Sequence, residues 1–447
     1  MSCNGGFNQS IWIITMYLLN YLYFLIITLV GYKWLTSSGG LMTNPLNREQ
    51  KMWLDGPEMF WVLTFSTGLL AFSAPGALDL MAIRLLVLEA FCAIGLLFVV
   101  KRKVQWSGAA ICYLLYLIWL CVGIFYSPAP SYGLRVVMKY LYPLLIIFFA
   151  SAAVRDCEVF LKAALGARWV AIISIGVFFI PFVNLLFPGV FWYGTASAIH
   201  YISMFSFSLA LFFHTNEKKK NVWLCILFAL PCILWVFRTS IMGITLALIT
   251  FMFFKYKLKS LPVILGACLL FLIAVFYIPS VREKMFFDDS HASINQLKFG
   301  NISMDNINSN GRFAMWEWSL DQFYVGKELT GSGTGNLQET FYALRHPFGT
   351  IRIVHNDYVQ MLCDNGVIGV LLFGASFLFL LFHCFLVYQN PAYDAGVRIC
   401  AIVAGASAAG TLLTMFTDNV INYTMSTLSY PCGFYGMMLG QLAKYKR

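Results

Sequence analysis

The sequence predicts an all-α, polytopic membrane protein with about 12–13 transmembrane helices. The chain has 447 residues, of which 60% are hydrophobic and only 11% are charged, whereas roughly a quarter of an ordinary soluble domain is charged. Aromatic residues make up 17% of the chain, which excludes an intrinsically disordered protein. Because each crossing of a bilayer needs ~20 mostly apolar residues, the chain is long enough to cross many times.

Thirteen apolar runs define the predicted helices. The first has no basic residues before it and no small-residue cleavage site after it, so we expect a retained helix rather than a signal peptide. The stretch 222–254 is nearly continuous and can be divided in more than one way, so twelve crossings are an alternative. The runs fall near residues 11–30, 58–76, 80–100, 108–126, 136–153, 169–187, 197–213, 222–237, 239–254, 261–279, 362–388, 398–416 and 424–442.

Lysine and arginine in the loops predict the orientation, since short cytoplasmic loops carry an excess of these residues. The basic clusters lie at 101–103, 218–220, 255–259 and 444–447. With these loops in the cytoplasm, all runs alternate without conflict, the N-terminus lies outside, and one long polar segment lies in the periplasm or extracellular space. The sequence therefore divides into transmembrane helices over 1–280, an outer region over 281–357 and C-terminal transmembrane helices over 358–447.

The charge of the chain does not indicate a nucleic-acid partner. The formal net charge is +10, which in a soluble domain would suggest nucleic acid. Here the basic residues cluster in short loops beside apolar runs, as orientation signals do. The outer region is nearly neutral and contains no polycationic arm.

Two arginines are candidates for binding an anion. Arg238 interrupts a long apolar stretch, where a charge costs ~3 kcal/mol and usually faces a cavity or a partner. The alternative is an arginine at a short turn that extends to the membrane interface. Arg312 begins a predicted amphipathic helix that contains Trp316 and Trp318. The alternative for Arg312 is an ordinary solvated surface arginine.

His355 is a candidate general base at the junction between the outer region and the next crossing. A histidine can accept a proton from a hydroxyl group near neutral pH, and Asp357 and Glu339 are candidates to orient its ring. The alternative is an interfacial histidine without a chemical task. No metal site is indicated, because the six histidines are dispersed and metal-binding patterns of cysteine or histidine are missing.

Arg135 and Lys139 are four residues apart on a predicted helix. At that spacing they share one helix face, which we expect at the outer leaflet. A basic face there either binds a lipid phosphate or anchors the helix, and the sequence favours neither.

Three motifs, in the same order, resemble those of the O-antigen ligase and polymerase superfamily. His355-Asn356, followed after nine residues by Gly366-Val367-Ile368-Gly369, resembles the signature His-Asn-x9-Gly-x-x-Gly. Residues 310–316, Asn-Gly-Arg-Phe-Ala-Met-Trp, resemble the segment Ser/Asn-Gly-Arg-x3-Trp, and a glycine-rich turn at 331–335 follows as in the family. Arg238-Thr239-Ser240 resembles the segment Ser-Arg-x-x, although Phe237 replaces the serine. The resemblance extends over about 220–445.

The resemblance implies a GT-C-like glycosyltransferase of the bacterial inner membrane, with its active site on the periplasmic face. It implies an undecaprenyl-diphosphate-linked glycan donor and no metal or other cofactor. Arg238 and Arg312 would stabilise the diphosphate leaving group. His355 would deprotonate the acceptor hydroxyl, and direct displacement would invert the anomeric centre. Further candidates for substrate binding are Arg345, Arg352, Arg135, Lys139 and Tyr358.

Members of this superfamily share the donor and differ in the acceptor. A polymerase adds a growing glycan to another lipid-linked repeat unit, and a ligase transfers it to the lipid A core. We favour a polymerase because polymerases are the more diverse group, and we keep the ligase as the alternative. Membrane lipids and a chain-length regulator are further candidate partners. A lipid-linked glycan transporter is a lesser alternative, since no paired halves are visible. An assembly factor would leave the intramembrane arginines without a purpose.

The substitution Arg238→Ala distinguishes an enzyme from an assembly factor. We expect an enzyme to lose its glycan product at a normal protein level, because the charge that stabilises the leaving group is removed. Product is measured on a glycan gel and protein by immunoblot of the membranes. A variant that makes normal amounts of product would favour a structural role instead.

Overall fold

A computed structural model describes residues 44–47, 80–98, 104–179, 195–234, 238–262, 312–421 and 427–446, with a few helical positions between 264 and 277. Its regular secondary structure is entirely helical, which confirms the predicted fold class. Six helices of this part are long and apolar enough to cross a membrane. The helices are α1 (Leu80–Phe98), α2 (Gly108–Phe125), α3 (Pro130–Ala153), α4 (Cys157–Phe179), α5 (Thr195–His214), α6 (Lys218–Leu234), α7 (Arg238–Tyr256), α8 (Arg312–Phe323), α9 (Asn336–Tyr342), α10 (Asp357–Gln389), α11 (Ala395–Thr417) and α12 (Ser429–Leu442).

The helices agree with the predicted apolar runs except at the start of α4. The runs at 11–30 and 58–76 lie outside the described residues, and so does most of the run at 261–279. Helix α4 begins at Cys157, about a dozen residues before the predicted run. Its first turns contain Glu158 and Lys162, which form an ion pair of 3.1 Å, and Arg168, which is only 3% exposed. These charges interrupt the hydropathy of the sequence, but pairing and burial inside the protein allow the helix to include them.

The helix ends that were predicted to be cytoplasmic meet at one end of the bundle. The backbone N–H of Asp394 donates to the Tyr445 hydroxyl at 3.1 Å, and the side-chain amide of Gln389 donates to the carbonyl of Phe254. At the opposite end, the Tyr126 hydroxyl donates to the carbonyl of Thr330 at 2.7 Å. These helix ends of the described part thus lie at two opposite ends of the bundle, and the assignment of the basic end to the cytoplasm remains a prediction from charge.

Small residues bring α7 and α11 close together. A Cβ built on Gly243 of α7 would lie 2.7 Å from Cγ2 of Thr414 and 3.2 Å from the carbonyl oxygen of Gly410, both in α11. Gly405 of α11 lies against Phe254, near the other end of α7. The two helices are thus antiparallel, and small residues permit the close approach of backbones that is common in membrane proteins.

Helix α10 is broken at Gly366, and the glycine-rich loop 328–334 occupies the break. Gly366 has φ 65° and ψ −169°, a conformation that is essentially restricted to glycine. Beyond the break, the N–H groups of Val367 and Ile368 donate to the carbonyls of Glu328 and Leu329 at 2.8 and 3.3 Å. The loop carbonyls thus replace the helical acceptors that these donors lose.

The carbonyls released before the break are bound in the same way. The N–H groups of Ser332 and Gly333 donate to the carbonyls of Cys363 and Asp364 at 2.8 and 3.0 Å. The indole of Trp119 in α2 donates to the carbonyl of Asn365 at 2.9 Å. The break therefore attaches α10 to both the glycine-rich loop and α2.

Asp364 of α10 and Tyr126, which follows α2, also contact the glycine-rich loop or the start of α9. The Asp364 carboxylate accepts from the N–H groups of Gly335 and Leu337 at 3.1 and 2.8 Å, so it caps the start of α9. Burial, with a smaller effect of the Asp364 charge, raises the pKa of Tyr126. The Tyr126 hydroxyl therefore remains protonated and serves as a donor to the loop.

The substitution Gly366→Ala tests whether the break holds the outer region in place. We expect a loss of about 1–3 kcal/mol in stability from backbone strain alone, and more because a Cβ would overlap the carbonyl of Leu329. The matched control is Gly374→Ala in the same helix, where a Cβ meets no atom within 4 Å and alanine favours the helix by up to ~1 kcal/mol. The thermal unfolding midpoint of the purified protein measures both. Equal midpoints for the two variants would contradict this account of the break.

Candidate functional site

His355 lies beside Asp418 at the end of the bundle opposite the basic helix ends. Its Nδ1 is 3.2 Å from Oδ1 of Asp418, and its side chain is 23% exposed. The backbone of His355 has φ 55°, which is uncommon for a residue with a side chain. Asp418 is the C-cap of α11, where its N–H donates to the carbonyl of Thr414 at 3.0 Å. The pair therefore joins the start of α10 to the end of α11.

A buried amide cluster surrounds this pair and holds the backbone of the His-Asn motif. Asn356 is the N-cap of α10 and accepts from the N–H groups of Tyr358 and Val359 at 2.9 and 3.0 Å. Its own N–H donates to Oδ1 of Asn419 at 3.0 Å. The side-chain amide of Asn419 donates to Gln360 at 2.8 Å. Asn419 is fully buried, so these hydrogen bonds form out of water, where leaving them unmade would cost several kcal/mol.

Asp357 and Glu339 were the two residues predicted to orient the ring of His355. The structure describes no hydrogen bond from His355 to either of them. Asp357 accepts from the Asn419 amide at 3.3 Å and from the N–H of Ile421 at 3.4 Å, and Glu339 pairs with Arg345. The hypothesis that one of them orients the ring is wrong, because Asp418 occupies that position. In the sequence, this role of Asp418 was indicated by the polar pair Asp418-Asn419. The pair lies between two apolar runs, at the end of the bundle where His355 was predicted.

Helix α8 places Arg312 close to the same segment. Trp316, one turn after Arg312, donates from its indole to the carbonyl of Val354 at 2.8 Å. The Trp316 ring also lies 5.9 Å from the ring of Phe416 near the end of α11. Residues four apart share one face of a helix, so Arg312 lies on the face of α8 that contacts the His355 segment. The hydrogen bond of Trp316 to the carbonyl of Val354 gives this residue a positioning role.

Helix register places Arg238 at the level of the same site. Arg238 begins α7, and Gly243, five residues later, lies against Gly410 and Thr414 of the antiparallel α11. Five residues correspond to ~7.5 Å along a helix. Followed from Gly243 back to the start of α7, this register brings Arg238 level with the residues that follow Thr417, the last residue of α11. The structure thus brings the three principal candidates to one end of the bundle, around the end of α11.

The weaker candidates divide into exposed and buried residues. Arg345, Arg352 and Arg135 are exposed, whereas Lys139 is only 5% exposed. Arg135 and Lys139 therefore do not form one exposed basic face. The Tyr358 hydroxyl donates to the carbonyl of Leu412 at 2.8 Å, so this residue packs against α11. Among the residues that the structure describes, no group of three or more His, Cys, Asp or Glu side chains is arranged to bind a metal ion.

Comparison with known families finds a match over the part of the chain that contains this site. Residues 223–374 match a family model described as O-antigen ligase, and no curated protein matches the sequence. The matched range contains Arg238, Arg312, His355 and the break at Gly366. Asp418 lies beyond it, although it pairs with the histidine inside it. Residues 223–374 are thus similar to the O-antigen ligase family, in agreement with the three motifs that resemble those of the O-antigen ligase and polymerase superfamily.

Proposed function

We propose that the protein is an inner-membrane glycosyltransferase that polymerises the repeat units of O-antigen or of another surface polysaccharide. The observation that carries this proposal is the His355–Asp418 pair, located at the end of the bundle where Arg238 and Arg312 begin their helices. The donor is a glycan on undecaprenyl diphosphate, and the acceptor is a hydroxyl of a second lipid-linked repeat unit. The reaction takes place at the periplasmic face.

The hydrogen bond to Asp418 supports a base role for the other ring nitrogen of His355. Oδ1 of Asp418 also accepts from the N–H of Asn419 at 2.9 Å, so this oxygen is a hydrogen-bond acceptor. A carboxylate only accepts hydrogen bonds, so Nδ1 of His355 carries the ring proton of the neutral side chain. Its Nε2 then has the lone pair that can take the proton of the acceptor hydroxyl.

The two arginines supply positive charge for the leaving group. Each is the first residue that the structure describes in its helix, and a guanidinium keeps its positive charge at any physiological pH. As the bond between the anomeric carbon and the diphosphate oxygen breaks, negative charge accumulates on that oxygen, and guanidinium groups stabilise it by charge-assisted hydrogen bonds. The acceptor oxygen forms the new glycosidic bond from the opposite face, which inverts the anomeric centre. In this proposal the arginines fulfil the role that a metal ion fulfils in other transferases.

A ligase is the second candidate function, since the matched family model is described as O-antigen ligase. Its donor and its chemistry would be the same. Its acceptor would be the lipid A core, so the products of the two reactions differ on a gel.

A deletion strain complemented with wild type, His355→Ala or Lys327→Ala tests the proposal. We expect His355→Ala to lose at least about 10²-fold of the product, because a general base contributes that much or more. Lys327 is an exposed residue of the same outer region, so Lys327→Ala is the matched control and should restore normal product. Lipopolysaccharide and other surface glycans are examined on one gel, with equal membrane levels of each variant.

The products in the deletion strain distinguish the candidates. One repeat unit on the lipid core identifies a polymerase of O-antigen. Unchanged lipopolysaccharide with loss of capsule or exopolysaccharide identifies a polymerase of that glycan. Bare core with long chains on the polyprenyl carrier identifies a ligase. If His355→Ala restores all glycans, the proposed base is wrong.

The substitution Asp418→Asn tests the positioning of the base. An asparagine amide can donate to Nδ1 and would move the ring proton to Nε2, so we expect a loss of about 10²-fold or more in product. Asp418→Glu keeps the acceptor and should recover part of the activity. Asp357→Asn is the comparison, because Asp357 binds Asn419 and Ile421 rather than the histidine. It should lower thermal stability more than activity per folded molecule, and equal losses of activity in both variants would contradict the assignment.

A further inference from the structure

Three basic side chains gather at the end of the bundle that is predicted to face the cytoplasm. The Arg398 guanidinium of α11 lies 5.3 Å from the centre of the Tyr388 ring in α10, and the ring of His214, which ends α5, lies 6.2 Å from the same ring. Nζ of Lys255 in α7 lies 4.0 Å from the ring of Phe213, the neighbour of His214 in the chain. We call His214, Lys255 and Arg398 the basic site. Tertiary structure brings them together, since they come from three different helices.

The positive charges of the basic site are close to one another and are not paired with a carboxylate of the described residues. The charge of Arg398 acts on both Lys255 and His214. Asp394, one turn before Arg398, accepts instead from the Tyr445 hydroxyl at 3.0 Å. The ion pairs within the described part of the chain include neither Lys255 nor Arg398. Like charges held together in this way create a positive potential that attracts an anion.

The hydrogen-bonding capacity of the basic site is only partly used by the residues that the structure describes. Nε of Arg398 donates to the carbonyl of Tyr388 at 3.0 Å, which leaves the two terminal nitrogens of the guanidinium for a further acceptor. The Lys255 ammonium contacts two aromatic rings and keeps donors for an anion as well. Nε2 of His214 is buried without a hydrogen-bond partner in the described part of the chain. A phosphate group has enough acceptor oxygens to bind all three side chains.

The basic site lies at the level expected for the membrane interface, beside exposed apolar side chains. Each of its residues is within about one turn of the end of its helix. Phe253 and Leu386, which lie slightly deeper in α7 and α10, are 41% and 49% exposed, and Tyr256, at the end of α7, is 42% exposed. Tyrosine is typical of membrane interfaces. A water-soluble anion would use only the charges of this region, whereas a phospholipid would use the charges and the apolar surface.

We propose that the basic site binds the phosphate group of an anionic phospholipid in the cytoplasmic leaflet. Anionic lipids are attracted to basic pockets between transmembrane helices on this side of a membrane. Arg398 and Lys255 bind the phosphate oxygens, and the acyl chains lie against Phe253 and Leu386. The lipid thereby links the ends of the helices that pack around α11. The site is at the opposite end of the bundle from His355, so it does not depend on the proposed catalytic function.

Lipid binding is measured by native mass spectrometry of the full chain in detergent. The probes are anionic dioleoylphosphatidylglycerol, zwitterionic dioleoylphosphatidylcholine with the same acyl chains, and glycerol 3-phosphate, which has a phosphate and no acyl chains. We expect phosphatidylglycerol to bind at least about tenfold more tightly than either of the other probes. The double substitution Lys255→Gln with Arg398→Gln should weaken its binding at least about tenfold, because both positive charges are removed.

Matched variants control the measurement. Lys257→Gln with Lys259→Gln removes the same number of charges from exposed residues at the same helix end and should bind as wild type. Lys255→Arg keeps the charge and should also bind as wild type. The thermal unfolding midpoint of each lipid-free variant identifies a loss of folding. If the double variant at Lys255 and Arg398 is destabilised, Lys255→Gln alone decides, since it removes only ring contacts with the described residues and should weaken binding several-fold.

Three results would overturn the proposal. Equal losses of phosphatidylglycerol binding in the two double variants would indicate a diffuse surface charge rather than a defined site. Phosphatidylcholine that binds as tightly as phosphatidylglycerol would show that the charge of the lipid is not recognised. Glycerol 3-phosphate that binds as tightly as phosphatidylglycerol would identify a site for a soluble phosphate compound instead of a lipid.

Discussion

Backbone hydrogen bonds at the break in α10 are the constraint on which the outer region depends. An unpaired N–H or carbonyl group at membrane depth costs several kcal/mol, so a membrane helix can be broken only where other groups replace the lost bonds. At Gly366 the carbonyls of Glu328 and Leu329 accept from one side of the break, and the N–H groups of the glycine-rich loop bind the other side. The same contacts position α9, so a backbone requirement determines where side chains of the outer region lie.

The break also gives a structural role to the short interval between the His-Asn and Gly-x-x-Gly elements. The residues between Asn356 and Gly366 form the first part of α10, which is ~14 Å long at 1.5 Å per residue. Its beginning is held by Asn419 through the N–H of Asn356, and its end is held by the glycine-rich loop. A helix fixed at both ends keeps His355 at a defined distance from the loop. An insertion between the two elements would shift one attachment relative to the other.

The proposed chemistry uses arginine, histidine and aspartate side chains. The fold brings the segments that carry them to one end of the bundle. Arg238 and Arg312 are the first described residues of α7 and α8, and His355 precedes α10, whose N-cap is Asn356. Asp418 ends a fourth helix and orients the base. A polar site at this depth is costly unless it is paired, and the buried amides of Asn356 and Asn419 supply much of that pairing.

Helix positions and the order of the three motifs were predictable from the sequence, because hydropathy and motif spacing are local properties of the chain. The early start of α4 was not, since its charges are tolerated only when Glu158, Lys162 and Arg168 are paired or buried. The partner of His355 was also missed, because Asp418 is 63 residues away and becomes a neighbour only when α10 packs against α11. The local hydropathy pattern thus predicts which segments cross the membrane. Which polar side chains meet is decided by tertiary packing, because their segments are far apart in the sequence.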